Sequence, residues 1–239
     1  MSSPPLAQLG VGVVVPHDMA LDRELWRWTP DDVSLHLTRT PHVDAEVTAD
    51  MVTTISQTDT VARGVRDLVT TDSPVYAYAC TSGSFIRGVS GERGLVDAMT
   101  AAGAPEAVTT SGALLTALRH LGVGSLAIAT PYHPSITTLL DDFLIEGGFT
   151  LSGSAHLGLT SDIWKVDYET TADLIRRADD PRAEAVVVSC TNLPTYDLIA
   201  PLEAELGKPV VSANQVTMWA SMRHIGRAAV GPGQRLLTV

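Results

Sequence analysis

The sequence has few of the residues on which disulfide, metal and Schiff-base chemistry depend. It contains two cysteines, Cys80 and Cys190, and two lysines, Lys165 and Lys208, among 239 residues. The wide cysteine spacing gives no disulfide framework and no Cys-x-x-Cys zinc motif. Seven histidines occur without a His-x-His or His-Glu-x-x-His arrangement, so we expect no metal site. Neither lysine is a good candidate for a pyridoxal phosphate Schiff base.

Long apolar runs and clusters of positive charge are missing as well. No apolar run approaches the roughly 18 residues of a membrane span, and the N-terminal MSSPPLAQLG has no basic segment. We therefore expect a cytoplasmic protein with neither a membrane contact nor a secretory leader. The net charge of −11, from 27 acidic and 16 basic residues, disfavours nucleic acid as a partner. With 45% apolar residues the chain can bury a substantial core.

Short β-branched runs alternate with segments of helical periodicity along the whole chain. The pattern predicts eight strands, Val11–Val15, Ser34–Thr38, Val75–Ala79, Ala107–Thr109, Ser125–Ala129, Thr150–His156, Ala185–Ser189 and Pro209–Ser212. It predicts helices that include Met51–Leu68, Leu114–Leu121, Thr137–Ile145, Thr171–Ala178 and Leu198–Leu206. Strands that are apolar on both faces are typical of buried parallel sheets. The alternation of strands and helices therefore predicts an α/β protein with doubly wound parallel sheets.

The chain also shows an internal duplication. Three landmarks recur in the same order at nearly constant spacing: a strand ending in Pro16 or Pro131, a strand ending in Cys80-Thr81-Ser82 or Cys190-Thr191-Asn192, and a helix ending in Arg-His-Leu-Gly122 or Arg-His-Ile-Gly226. A repeat of this size indicates two pseudo-symmetric halves. We expect residues 1–120 to form one half and residues 121–239 the other, with the C-terminal tail packing back onto the first. The two glycines are expected to end helices in a left-handed conformation.

The two cysteines are the candidate catalytic residues. Each follows a predicted strand, and ligands of doubly wound sheets bind beyond the carboxyl ends of the strands. The neighbouring hydroxyl, amide and backbone N–H groups can hold an anion, and such surroundings are expected to lower a thiol pKa. A single cysteine on a buried strand is usually an inert hydrophobic residue. Two at equivalent strand ends of a duplicated fold indicate instead two thiols that face one cleft.

Several segments carry a resemblance to a known family. VVVPHD, YACTSGS, TTSGALLTAL, ATPYHPS, VVSCTNLPT and PVVSANQ resemble the aspartate/glutamate racemase superfamily. Within it they are most similar to the maleate cis–trans isomerase and arylmalonate decarboxylase branch, over roughly residues 9–226. The resemblance implies two pseudo-symmetric α/β halves with the active site between them, and a cofactor-independent enzyme that contains no metal.

The resemblance also implies a choice of reactions. Racemases of the superfamily use both thiols as acid and base, maleate isomerases use the first as a nucleophile and the second for proton transfer, and the decarboxylases keep only the second. Because both Cys80 and Cys190 are present, the first hypothesis is a cis–trans isomerase of a small, maleate-like dicarboxylate. The alternative is an amino-acid or 2-substituted-acid racemase. A decarboxylase and a non-catalytic small-acid binding protein are less favoured.

The remaining site predictions concern binding. We expect a small carboxylate to be held by Pro16, Thr81, Ser82, Tyr132, Thr191 and Asn192, and the protein to form a homo-oligomer. Met19 and Asp162 stand where maleate isomerases usually have asparagines, and an aspartate beside a dicarboxylate would repel it unless it is turned away. The glycine-rich segment Gly88–Gly94 is interpreted as a flap over the cleft or, equally, as a surface loop.

Overall fold

The computed structural model describes residues 9–238. Residues 1–8, which carry most of the segment behind the expectation of no leader, and Val239 lie outside the described residues. The strands are β1 (Leu9–Val15), β2 (Val33–Arg39), β3 (Val75–Tyr78), β4 (Ala107–Thr109), β5 (Ser125–Tyr132), β6 (Thr150–Leu159), β7 (Ala185–Val188) and β8 (Val210–Ser212). Each of the eight predicted strands overlaps one of these.

The strands form two parallel sheets with the same internal order. One sheet has the order β2-β1-β3-β4 and the other the order β6-β5-β7-β8. All residues of the inner strands β3 and β7 are buried, as parallel strands covered by helices on both faces must be. The predicted fold class is confirmed, and the matching strand order shows the duplication that the sequence landmarks indicated.

Ten α-helices in the described part of the chain cover the sheets. They are α1 (Asp22–Arg27), α2 (Ala49–Ile55), α3 (Thr58–Leu68), α4 (Thr81–Phe85), α5 (Gly88–Ala101), α6 (Thr110–His120), α7 (Pro134–Glu146), α8 (Tyr168–Ala178), α9 (Ile199–Leu206) and α10 (Ala213–His224). Every one of these helices is too short or too polar to span a bilayer. As predicted, α6 and α10 end before Gly122 and Gly226, whose φ angles are +69° and +67°.

The predicted helix Met51–Leu68 is interrupted, so that single-helix prediction was wrong. Helix α2 ends at Ile55 and α3 begins at Thr58, because Gln57 adopts an extended conformation with ψ of 135°. The Tyr78 hydroxyl donates a hydrogen bond to the Ile55 carbonyl at 3.0 Å. A partner outside the helix therefore satisfies a carbonyl at its C-terminal end, and the break lies against the strand that precedes Cys80.

The prediction of a flap or loop at Gly88–Gly94 was also wrong. These residues form the first two turns of α5, which buries Glu92, Leu95 and Met99 on one face. The Glu146 carboxylate accepts a hydrogen bond from the Val89 N–H at 2.8 Å and so caps the helix start. The spacing of the buried side chains outweighs the low helix propensity of three glycines.

The two sheet regions are joined by helices and by contacts of the C-terminal segment with the segment after α1. Helices α6 and α10, one from each sheet region, pack side by side, and the hydroxyls of Thr110 and Thr217 are 2.8 Å apart between them. At the other end of the chain, the Val230 N–H donates to the Trp28 carbonyl at 2.9 Å, and the Trp28 indole donates to Gln234 at 2.9 Å. The residue that follows α1 thus contacts the C-terminal segment after α10.

Candidate active site

A small cavity between the two sheets brings the cysteine segments together. Its volume is about 30 Å³, which is room for about one or two water molecules. The residues that line it are Pro16, Asp18, Val47, Met51, Ile55, Cys80, Thr81, Ser82, Tyr132, Ile163, Cys190, Thr191 and Asn192. All eight residues that the sequence singled out for catalysis or binding are in this set.

Cys80 reaches the cavity from the end of β3. It is the N-cap of the short helix α4, and its Sγ accepts a hydrogen bond from the Gly83 N–H at 3.4 Å. The Ser82 hydroxyl lies 4.0 Å from the same sulfur. The backbone of Cys80 is extended, with φ of −144°. The first thiol therefore lies at the start of a helix, where the backbone N–H groups favour negative charge.

Cys190 reaches the cavity from the end of β7 with a different backbone. Its φ is +90°, a conformation that costs a non-glycine residue free energy and that the surrounding structure must maintain. Its Sγ accepts a hydrogen bond from the Asn192 N–H at 3.4 Å. The turn that follows contains no helix comparable to α4. The duplication thus places two thiols at equivalent strand ends, but the backbone conformation and the structure that follows differ between them.

Burial raises the pKa of both thiols, which favours their protonated forms near neutral pH. Burial raises the pKa of Cys80 to about 11, against the opposing effect of the Gly83 N–H and the Tyr78 hydroxyl. Burial raises the pKa of Cys190 to about 12, and the Tyr132 hydroxyl and Asn192 N–H offset only part of that effect. The expectation of lowered thiol pKa values was therefore wrong. Desolvation exceeds the favourable hydrogen bonds because both side chains are buried.

Asp18 lies in this cavity, and the sequence analysis did not single it out. Its carboxylate raises the pKa of both Cys80 and Cys190. The Asp18 charge affects both pKa values, which agrees with the position of both thiols in one cavity. The residue follows β1 by three positions, at a sheet end where ligands bind, which was the available sequence signal.

Several residues of the cavity lining carry side-chain groups that can form hydrogen bonds with an anion. The Thr81 Oγ1 atom is buried and has no hydrogen-bond partner within residues 9–238, so it is available to a ligand. The Ser82 and Tyr132 side chains lie beside it in the lining. The Asn192 amide is differently engaged, since its Oδ1 accepts from the Ala20 N–H at 2.9 Å and its Nδ2 donates to the Asp18 carbonyl at 3.0 Å.

Part of the cavity lining is apolar, and the sequence analysis missed these residues. They are Val47, Met51, Ile55 and Ile163. The Val47 N–H donates a hydrogen bond of 2.7 Å to the carbonyl of Thr160, which follows β6. A main-chain hydrogen bond therefore joins the segment before α2, which contributes Val47 to the lining, to the segment after β6. Val47 and Ile163 lie in connecting segments, which give no periodic signal, and the helical pattern around Met51 and Ile55 does not show which distant segment they face.

The two positions that depart from the maleate isomerase pattern do not face this cavity. Met19 is buried, but it is not part of the lining. Asp162 is exposed and forms an ion pair with Lys165 at 3.1 Å. The carboxylate that would have repelled a dicarboxylate is thus turned toward solvent. Among the described residues that line the cavity there is no lysine, arginine or histidine.

Most of the chain is similar to proteins of one known family. The family model described as arylmalonate decarboxylase matches residues 46–237. The arylmalonate decarboxylase of Bordetella bronchiseptica is 34% identical over 175 residues, which cover 72% of this chain and 73% of that protein. A maleate isomerase of Nocardia farcinica is 27% identical over 180 residues, which cover 72% of this chain and 71% of that protein.

Solved structures give the same grouping. A liganded arylmalonate decarboxylase variant, in which a glycine is replaced by cysteine and a cysteine by serine, superposes with a TM-score of 0.88 at 30% identity. The match covers 96% of this chain and 99% of that one. A cysteine-to-serine variant of the Nocardia farcinica maleate cis–trans isomerase, with a covalently bound succinylcysteine intermediate, gives a TM-score of 0.85 at 23% identity. That match covers 96% of this chain and 98% of the isomerase and shows the same fold.

Proposed function

This chain belongs to the arylmalonate decarboxylase family, and from that premise we propose that it is a cofactor-independent cis–trans isomerase of a small dicarboxylate such as maleate. The family is enzymatic, and the relatives above include both decarboxylases and maleate isomerases. The choice between these reactions depends on what lies in the cavity. Cys80 is proposed as the nucleophile and Cys190 as the group that transfers the proton.

The observation that carries the proposal is the presence of two thiols, one from each sheet, in the lining of one cavity. Replacement of a carboxyl group by hydrogen needs one proton donor. Addition to a double bond followed by elimination needs a nucleophile at one carbon and a proton donor at the other. Cys80 and Cys190 supply that pair, which favours isomerisation over decarboxylation.

The proposed reaction balances without an added reagent. The Cys80 thiol first loses its proton to solvent, and the thiolate adds to one alkene carbon while the Cys190 thiol gives its proton to the other, so that a C–S and a C–H bond replace the π bond. Rotation about the resulting single bond brings the two carboxylates to opposite sides. The Cys190 thiolate then removes a proton from the carbon next to the C–S bond, the C–S bond breaks, and the trans alkene leaves. Both sulfurs return to their initial states.

The surroundings of the two thiols favour this assignment of roles. Cys80 accepts the Gly83 N–H at the start of α4, where the helix N-terminus stabilises a thiolate. The turn after Cys190 contains no comparable helix, and burial raises the pKa of this thiol, so it keeps its proton and suits the role of acid. A related isomerase from Nocardia farcinica has been seen with a succinylcysteine intermediate, which is the kind of adduct that this sequence of steps requires.

Recognition of the substrate is proposed to depend on neutral donors. Thr81 Oγ1, Ser82, Tyr132 and Thr191 line the cavity. The cavity of about 30 Å³ is smaller than a four-carbon diacid, so it must widen for a substrate to enter. Reclosure would exclude water from the reacting carbons, which strengthens the electrostatic interactions inside.

Racemisation of a 2-substituted acid is the second candidate, and a specific observation favours it. The apolar lining residues Val47, Met51, Ile55 and Ile163 offer contacts for a non-polar substituent that maleate lacks. In that reaction one thiolate removes the α-proton and the opposite thiol returns a proton to the other face. The same two residues would act without forming a C–S bond.

One set of incubations in D₂O distinguishes the reactions by proton NMR. Maleate, a 2-aryl propionate and phenylmalonate are each incubated with the wild-type protein, with Cys80→Ser and with heat-denatured protein. Fumarate formed by the wild type and absent with Cys80→Ser supports the isomerase. Deuterium at the α-carbon of the propionate without fumarate assigns racemisation instead. Loss of CO₂ from phenylmalonate as the sole reaction overturns both.

A further inference from the structure

We propose that Glu24 is a positioning residue for Cys190: a buried carboxylate from helix α1 holds the turn that keeps the second thiol facing the cavity. The inference rests on the proposed function in so far as that function assigns Cys190 a chemical role. Its central test measures the thiol itself and requires no substrate.

The contacts of Glu24 reach across from the first sheet region to the second. Its Oε1 accepts hydrogen bonds from the backbone N–H groups of Thr195 at 2.6 Å and Tyr196 at 2.8 Å. Its Oε2 accepts from the Asn214 Nδ2 at 2.7 Å. The side chain is buried, and burial raises its pKa while these three donors and Arg27 lower it. Burial of a carboxylate is costly unless it is fully hydrogen-bonded, and here three donors meet it.

Asn214 carries the effect from Glu24 to the cysteine. The same Nδ2 donates a hydrogen bond of 3.0 Å to the carbonyl of Thr191, the residue after Cys190. Glu24 orients this amide, because an amide rotated by half a turn would direct its oxygen at the carboxylate. The Cys190 turn is thus held at Thr191 and again at Thr195 and Tyr196. A backbone with φ of +90° persists only where its surroundings fix it.

The equivalent turn in the first half is held in another way. The hydroxyl of Ser111, the counterpart of Asn214 in the first turn of α6, donates to the Thr81 carbonyl at 3.1 Å. The Ser84 hydroxyl donates to the Cys80 carbonyl at 2.7 Å and accepts from the Ser111 N–H at 3.0 Å. Both groups come from the same half as Cys80. The second half has Pro194 in place of Ser84, and the missing anchor comes from the other half as Glu24.

The test compares the rates at which iodoacetamide labels Cys190 and Cys80 in the folded protein, measured peptide by peptide by mass spectrometry. The first variant is Glu24→Gln, which keeps an oxygen for Thr195 and Tyr196 but presents an NH₂ group to Asn214. The second is Asn214→Ala, which removes only the donor to Thr191 and Glu24. The control is Glu203→Gln, a buried glutamate that accepts the Val210 and Arg235 N–H groups at 3.1 and 2.8 Å away from the cysteine turn.

In both test variants we expect the ratio of the Cys190 rate to the Cys80 rate to change by at least about threefold, since local opening of one turn alters the reactivity of that turn alone. In Glu203→Gln the ratio should remain that of the wild type even where the melting temperature falls. A ratio unchanged in both test variants overturns the proposal, as does an equal change in the control. Use of the ratio separates positioning from a general loss of stability.

A second readout follows once a substrate has been found. Because misplacement of a reacting group affects the chemical step more than binding, Glu24→Gln should lower kcat by about tenfold or more with a smaller change in KM. A rise in KM at unchanged kcat would contradict the positioning role. If no reaction is detected with any carboxylate, the proposed function fails while the alkylation ratio still decides the role of Glu24.

Discussion

Gly83 lies so close to Tyr78 that a Cβ atom at position 83 would clash with the Tyr78 hydroxyl oxygen. The same atom would be 3.0 Å from the Cys80 sulfur. Tyr78 cannot move aside at low cost, because it is fully buried and its hydroxyl donates to the Ile55 carbonyl. The absence of a side chain at position 83 therefore allows the tyrosine hydroxyl, the thiol and the start of helix α4 to lie against one another.

We predict that Gly83→Ala destabilises the protein by about 1–3 kcal/mol, the usual cost of overpacking a buried site. It should also change the alkylation rate of Cys80 while leaving that of Cys190 near the wild-type value. Thermal unfolding and peptide mass spectrometry measure the two effects. The control is Gly94→Ala, where a Cβ meets no atom within 4 Å and the helix gains up to about 1 kcal/mol. Equal stability of the two variants would contradict the prediction.

The thiols should react slowly near neutral pH and faster as the pH approaches their pKa values, about 11 for Cys80 and about 12 for Cys190. Only the thiolate reacts, so the rate at Cys80 should rise first.

Asp18→Asn removes a negative charge that raises both pKa values. The thiolates are then less destabilised, both pKa values fall, and labelling at a fixed pH of 8 to 9 should become severalfold faster. The exposed Asp31 provides the control Asp31→Asn, which should change neither rate.

Replacement of each cysteine by serine should affect adduct formation and turnover differently. Cys80→Ser removes the proposed nucleophile, so no covalent adduct should form with an unsaturated dicarboxylate. Cys190→Ser removes the proton-transfer group, so turnover should fall by orders of magnitude while an adduct on Cys80 accumulates. Intact mass spectrometry followed by peptide mapping detects the adduct. An adduct that maps to Cys190 would exchange the two roles.

Substrate affinity should depend little on ionic strength. Among described residues, the cavity lining contains no cationic side chain and contains Asp18. Neutral hydrogen bonds are weakly screened, and salt would only reduce the repulsion between Asp18 and a carboxylate. KM should therefore stay level or fall between about 0.02 M and about 0.5 M salt. A steep rise in KM would show that an arginine enters the site when substrate binds.

The part of the fold that is encoded locally could be predicted from the sequence. The strands other than the edge strands β2 and β6 are largely apolar, and helical periodicity follows each of the first seven, so each was visible in its own segment. The duplication was visible in the recurring Cys-Thr pairs and Arg-His-Gly helix ends. Both cysteines were placed correctly at strand ends, since parallel strands direct their carboxyl ends to one edge of a sheet.

The rest depended on contacts between distant segments. The break at Gln57 adjoins the Tyr78 hydroxyl, and the helix at Gly88–Gly94 depends on Glu146 for its cap. The thiol pKa values depend on burial, which strand ends alone do not specify. Glu24 belongs to a short helix with no distinctive motif, and its importance is apparent only when Thr195 and Asn214 are found beside it. None of these contacts leaves a periodic pattern in the sequence.

The hydrogen bond between Val47 and Thr160 has a consequence for how this protein can evolve. It is made by the main chain, so most substitutions at the two positions leave its donor and acceptor in place. The side chains of Val47 and Ile163, which line the cavity, can therefore change to accommodate a new substituent while the main-chain link between the two segments is kept. The shape of the cavity and the link between the segments thus depend on different groups, side chain and main chain, and selection can act on one without loss of the other.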